Sequence, residues 1–133
     1  MKKYILKKES LDQIVMTDLD GKKPFTDRIV NDKGETEIVQ LNWRAFFKMI
    51  LLVEVADAPA STMRLKNTFE IIDALKDVES DLSLTADQFN FLKTWCTKGG
   101  DTDGRYRQGV PLLNLSLLKN IIDFFDECES ENI

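Results

Sequence analysis

Up to Leu41 the apolar residues fall in short alternating runs, and beyond it they recur at helical spacing. Tyr4-Ile5-Leu6 sits between lysine pairs, and Ile14-Val15-Met16 is followed by Asp20-Gly21, a strong two-residue turn signal. Arg28-Ile29-Val30 leads into the turn Asn31-Asp32-Lys33-Gly34 and then Thr36 to Leu41. In that last run Thr36, Ile38 and Gln40 point one way, and Glu37, Val39 and Leu41 the other. The pattern predicts a three- or four-stranded antiparallel meander over residues 1–41.

Asn42 is placed to cap a helix that runs to about Asp57 and stops at Ala58-Pro59. Trp43, Phe46, Phe47, Ile50 and Val53 share one of its faces, and Met49, Leu52 and Ala56 make a second apolar face. Ser61 caps a second helix with the stripe Leu65, Phe69, Ile72, Leu75 and Val78. A third opens at Thr85-Ala86-Asp87-Gln88, a capping box, with Leu84 and Phe89 at the spacing of a hydrophobic staple. It continues through Leu92, Trp95 and Cys96 and ends at Gly99-Gly100. After a Gly-rich loop, Pro111 opens a fourth helix reaching about Glu127, with Leu117, Leu118, Ile121, Phe124 and Phe125 inward. The acidic tail 128–133 is expected to fray. The expected architecture is one α+β domain over 1–133, β-rich to 41 and helical from 42 to 127, with a four-helix body.

Phe46 to Val55 is apolar on nearly every side, with Lys48 and Glu54 its only charges. A helix of that kind must be covered on most faces. In a chain of 133 residues the cover is hard to find, which predicts a subunit interface built on Met49, Ile50 and Leu52.

Charge and composition narrow the chemistry. The net charge of −5 divides into +2 over residues 1–48 and −7 over 49–133. An acidic C-terminal part lacks the basic footprint of nucleic-acid binding and suits a solvated surface or head-to-tail association. There is no histidine, which excludes Ser/His and Cys/His catalysis and removes the commonest metal ligand. Cys96 and Cys128 have no metal-ligand spacing and predict a reduced cytoplasmic setting. No stretch reaches the roughly 20 apolar residues of a membrane span, and the start MKKYILKKES lacks a secretory apolar region.

Ile14 to Gly21 (IVMTDLDG) resembles the first motif of the haloacid-dehalogenase-like phosphatases, an apolar strand ending in Asp-x-Asp-Gly. The resemblance implies Asp18 as nucleophile and Asp20 as general acid/base, with Mg²⁺ neutralising the phosphate. Gly100-Asp101-Thr102-Asp103 mimics that family's second acidic pair. It also implies a doubly wound parallel sheet, whereas this chain runs helix after helix from residue 42 and carries Lys22 after the Gly. The competing reading makes Asp20-Gly21 a hairpin turn and Asp18 a solvated strand-end carboxylate. Loops starting at Asp18 or Asp101 miss calcium-loop spacing, since Lys22 or Arg105 takes the third ligand position.

Within Gly99–Gly109, Arg105, Tyr106 and Arg107 suit a protein contact or an anion, or form a plain connection between helices. Trp43, Trp95 and Cys96 read as core, and Lys2-Lys3 and Lys7-Lys8 as guards of an edge strand.

The expected function is a non-enzymatic protein–protein interaction or assembly protein, cytoplasmic or in a virion. It would be oligomeric with itself or bound to another protein, with no cofactor, metal, nucleic acid or membrane partner. Accessory and structural proteins of phages and mobile elements have this general look. The alternative is a small acidic inhibitor of a host enzyme, and the remoter one an Asp18/Asp20 phosphatase.

Overall fold

Lys3, Tyr4 and Ile5 of β1 (Lys2–Leu6) each face a partner on both sides, so the strand is central in its sheet. The structure is a computed structural model and describes residues 2–52, 62–98 and 115–132. After β1 come the single turn α1 (Lys8–Leu11), the strands β2 (Thr26–Val30) and β3 (Thr36–Gln40), and the helices α2 (Trp43–Leu51) and α3 (Thr62–Leu75). Then follow β4 (Leu82–Thr85), α4 (Ala86–Lys98), α5 (Leu115–Asp126) and β5 (Glu129–Asn132). The class is α+β, as expected. Helices α2 to α5 fall within the four predicted spans, and the expected stop at Ala58-Pro59, the cap Ser61, the end at Gly99-Gly100 and the start at Pro111 lie outside the described residues.

The strand layout departs from a single meander. One antiparallel sheet has the order β4-β1-β5, and β2 and β3 form a separate hairpin. Leu82 and Leu84 of β4 are buried on alternate positions, but a four-residue strand beside a capping box is too short to stand out from its helix. The tail expected to fray is strand β5. Its acidic residues meet basic ones, with Lys3 opposite Glu131 and Lys7 Nζ 3.3 Å from Glu129 Oε2. Of the lysines read as edge guards, Lys2 and Lys3 lie within this central strand and Lys7 and Lys8 follow it.

Residues 14–16 tie the hairpin to the body. The Val15 N–H donates to the Leu41 carbonyl (2.9 Å), and the Phe25 N–H donates to the Val15 carbonyl (2.7 Å). Val15 thus wedges between the ends of β2 and β3, whose own bond there runs from Leu41 N–H to Phe25 O at 3.0 Å.

The core gathers around α2. The Asn42 side chain accepts the Ala45 N–H at 2.9 Å, the predicted N-cap. Trp43, Phe46, Phe47, Ile50 and Leu51 are all buried. Phe25 meets Phe46 edge-on, Phe124 lies 4.5 Å from Trp43 and 5.3 Å from Phe47, and Phe125 lies 5.6 Å from Phe47. Trp95 of α4 donates its Nε1–H to the Ile50 carbonyl at 2.7 Å, satisfying an acceptor at the helix end.

Arg44 is the one charged residue of α2 on the inner side, and it is buried. Its guanidinium donates to the carbonyls of Ser80 (2.8 Å), Asp77 (3.2 Å) and Leu75 (3.4 Å), and to Asp12 Oδ1 (3.3 Å). One side chain thereby holds the end of α3, the turn into β4 and the end of α1.

On α3 the buried stripe is Thr68, Ile71, Ile72 and Leu75. Leu65, Phe69 and Val78, expected inward, are exposed. Both sets have helical spacing, and packing against α2 and α4 selects the first.

The capping box forms as its spacing predicts. The Gln88 N–H donates to Thr85 Oγ1 (3.2 Å), and the Thr85 N–H donates to Gln88 Oε1 (3.0 Å). Thr85→Ala should cost about 1 kcal/mol in denaturant unfolding. Arg44→Ala should cost more, about 2 kcal/mol, because it leaves the Leu75, Asp77 and Ser80 carbonyls without their donor. Equal, small losses for both would remove Arg44 from its anchoring role.

Candidate interaction surface

Ile50 is fully buried inside a single chain, so it is not a contact residue of the folded protein. Met49 is half-buried and packs on the core, and Leu52 alone of the three expected interface residues is exposed. Among the described residues, the face of α2 that carries Trp43, Phe46, Phe47 and Ile50 is covered by its own chain. Arg105, Tyr106 and Arg107 lie outside the described residues.

Apolar side chains reach solvent elsewhere. Antiparallel register places Arg28 opposite Ile38 and Val30 opposite Thr36 on one face of the hairpin. Val30 is 72% exposed and Ile38 69%. On the other face Ile29 stands opposite Glu37 and is also exposed. A two-stranded ribbon with both faces wet is marginally stable by itself. Its tip is held by Asn31, whose Oδ1 accepts the N–H groups of Lys33 (2.9 Å) and Glu35 (3.0 Å), and by Gly34 at φ +75°.

The sequence shows this alternation but does not single out the ribbon as a surface. Each of its faces carries a mixture of apolar and charged residues, so neither declares itself inward or outward. The signal lies in that ambiguity: a strand pair with no committed apolar face is not anchored in a core. A second patch lies on α3, where Leu65 and Phe69, four residues apart, share a face beside the buried stripe and are both about half exposed.

Asp18 and Asp20 do not form a paired site. The Asp18 carboxylate accepts the backbone N–H groups of Lys22 and Lys23, each at 3.0 Å, and closes a tight turn through Gly21 at φ +70°. The bonds from Lys23 and Lys22 hold its carboxyl below the usual carboxylate range. Asp20 is exposed. Asn120 of α5 donates to the Met16 and Asp18 carbonyls at 2.8 and 3.0 Å, fastening the turn to the body. A shallow cleft of 230 Å³ lies there, between Asp18, Leu19, Trp43, Asn120, Asp123 and Glu127. Both described sheets are antiparallel, unlike the parallel sheet that the phosphatase resemblance implies. The acidic pair Asp101 and Asp103 lies outside the described residues.

No protein-family model matches the chain, and no curated protein or solved structure matches it. No described helix is long and apolar enough to cross a membrane.

Two outcomes follow for these residues. Ile50→Asp should abolish cooperative unfolding by circular dichroism, whereas Leu52→Asp should leave it nearly unchanged. Asp18→Ala should lower the melting temperature at neutral pH. Because folding favours the ionised carboxyl, that stabilisation is present above the ordinary carboxylate pKa and fades as pH falls through the depressed value. The gap between parent and variant should therefore close in acid. A gap independent of pH would show that the charge of Asp18 does not hold the turn.

Proposed function

We propose that the protein is a non-enzymatic interaction and assembly protein, working through contacts with other protein surfaces. The observation that carries this reading is the hairpin β2–β3, which offers Val30 and Ile38 to solvent on one face and Ile29 on the other. Large apolar side chains grouped on a protruding ribbon are favoured where another protein covers them. The patch at Leu65 and Phe69 adds to it. The reading does not draw on the face of α2 that carries Trp43, Phe46, Phe47 and Ile50, which is buried. A structural or accessory role in a phage or mobile element suits such a protein.

A second reading, a small acidic binder of a basic target surface, draws on the exposed Asp126, Glu127, Glu129 and Glu131. Several of these charges already have basic neighbours, Lys93 near Asp126 (3.8 Å) and Lys7 near Glu129 (3.3 Å). Their attraction for a target is weakened accordingly.

Light scattering behind size exclusion, from about 1 µM to about 0.2 mM protein, separates the two. Assembly predicts a defined oligomer that persists at high salt, since apolar contacts are not screened. A monomer at every concentration, joined by salt-sensitive capture of a basic protein, would overturn assembly in favour of the binder.

A further inference from the structure

The outer edge of β3 carries a row of backbone groups directed away from β2. Bonds from Leu41 N–H to Phe25 O and from Asn31 N–H to Glu35 O mark 25/41 and 31/35 as hydrogen-bonded pairs within the hairpin. Alternation then makes 27/39 and 29/37 bonded pairs as well, so the N–H and C=O groups of Thr36, Ile38 and Gln40 face outward. Gln13–Val15 does not cover that edge, because it joins the ladder between the strand ends, on the inner side.

We propose that this edge pairs antiparallel with the same edge of a second copy, about a two-fold axis at Ile38. The inference rests on the assembly reading and names its partner and register. In this register Ile38 faces the second copy's Ile38, and Thr36 faces its Gln40. Glu37 faces the second copy's Val39, so no two like charges stand opposite each other. The equivalent pairing of β2 about Arg28 would place two guanidinium groups opposite each other, which is unfavourable. The apolar side chains also agree. Pairing at Ile38 turns two exposed two-stranded ribbons into one four-stranded sheet. Both Ile38 side chains meet at its centre, and Val30 of each copy lies on the same face. The two-stranded ribbon, marginal alone, gains the strands it lacks. The contact is isologous and closes at two copies.

Cysteine scanning tests the register. In a Cys128→Ser background, Ile38→Cys should form an intermolecular disulfide on mild oxidation, since residues in a bonded antiparallel pair have Cα atoms about 5.5 Å apart. Thr36→Cys should not cross-link to itself, but the double variant Thr36→Cys, Gln40→Cys should. Cys96 is buried and does not contribute. Ile38→Lys sets two ammonium groups face to face and should weaken self-association about tenfold or more, with the circular dichroism spectrum unchanged. A dimer that survives Ile38→Lys, together with an Ile38→Cys variant that fails to cross-link, overturns this edge while leaving assembly in place. A parent chain that stays monomeric throughout overturns both.

Discussion

A helix with apolar residues on nearly all sides has to be enclosed, and enclosing α2 organises the remainder of the chain. Burying Trp43, Phe46, Phe47, Ile50 and Leu51 is worth about 2 kcal/mol apiece before conformational entropy is set against it. The enclosure draws on every level of the sequence: Phe25 ahead of the hairpin, Trp95 from α4, and Phe124 and Phe125 from α5. The Arg44 guanidinium, a charge taken inside, is met by three carbonyls and a carboxylate, as a buried charge requires. Those partners come from two separate stretches of chain, so Arg44 orients the pieces as well as filling space.

The cost of that arrangement falls on the surface. With the aromatic side chains gathered round α2, the hairpin is left as an appendage, joined to the body through Val15, Phe25 and Leu41. The inner sheet is assembled from residues near 4, 84 and 130, and so forms only when distant parts of the chain come together. The hairpin is local and forms across a short turn. The two sheets thus differ in their surroundings. The β4-β1-β5 sheet is part of the scaffold, its Tyr4 ring stacked 4.0 Å from Phe89, whereas β2–β3 is presented outward.

Much of this was readable from the chain, and the failures are informative. The N-cap at Asn42, the capping box Thr85–Gln88 and the Asn31–Gly34 turn are short-range devices, and each forms as its spacing predicts. Pairing between distant segments was not readable. Nothing local in Glu129–Asn132 announces a strand, since its partner Lys2–Ile5 lies at the other end of the chain. The choice between Ile71 and Phe69 as the inward side of α3 likewise depends on neighbours rather than on the helix itself. The place of Ile50 was hidden for a related reason. An apolar helix signals that it must be covered, but not whether its own chain or a second copy supplies the cover. The Asp18–Gly21 motif shows the same limit: a carboxylate before a glycine fits catalysis or a capped turn, and here the backbone N–H groups of Lys22 and Lys23 occupy it.

Hydrogen exchange measured at low and high protein concentration separates what is enclosed within one chain from what a second copy covers. If α2 is sheltered by its own chain, its amides exchange only with global unfolding, and their protection does not change on dilution. The outward amides of Thr36, Ile38 and Gln40 should be protected in concentrated solution and become exposed on dilution. Protection of α2 that falls on dilution, with the hairpin unaffected, would contradict the account and return the interface to the helix.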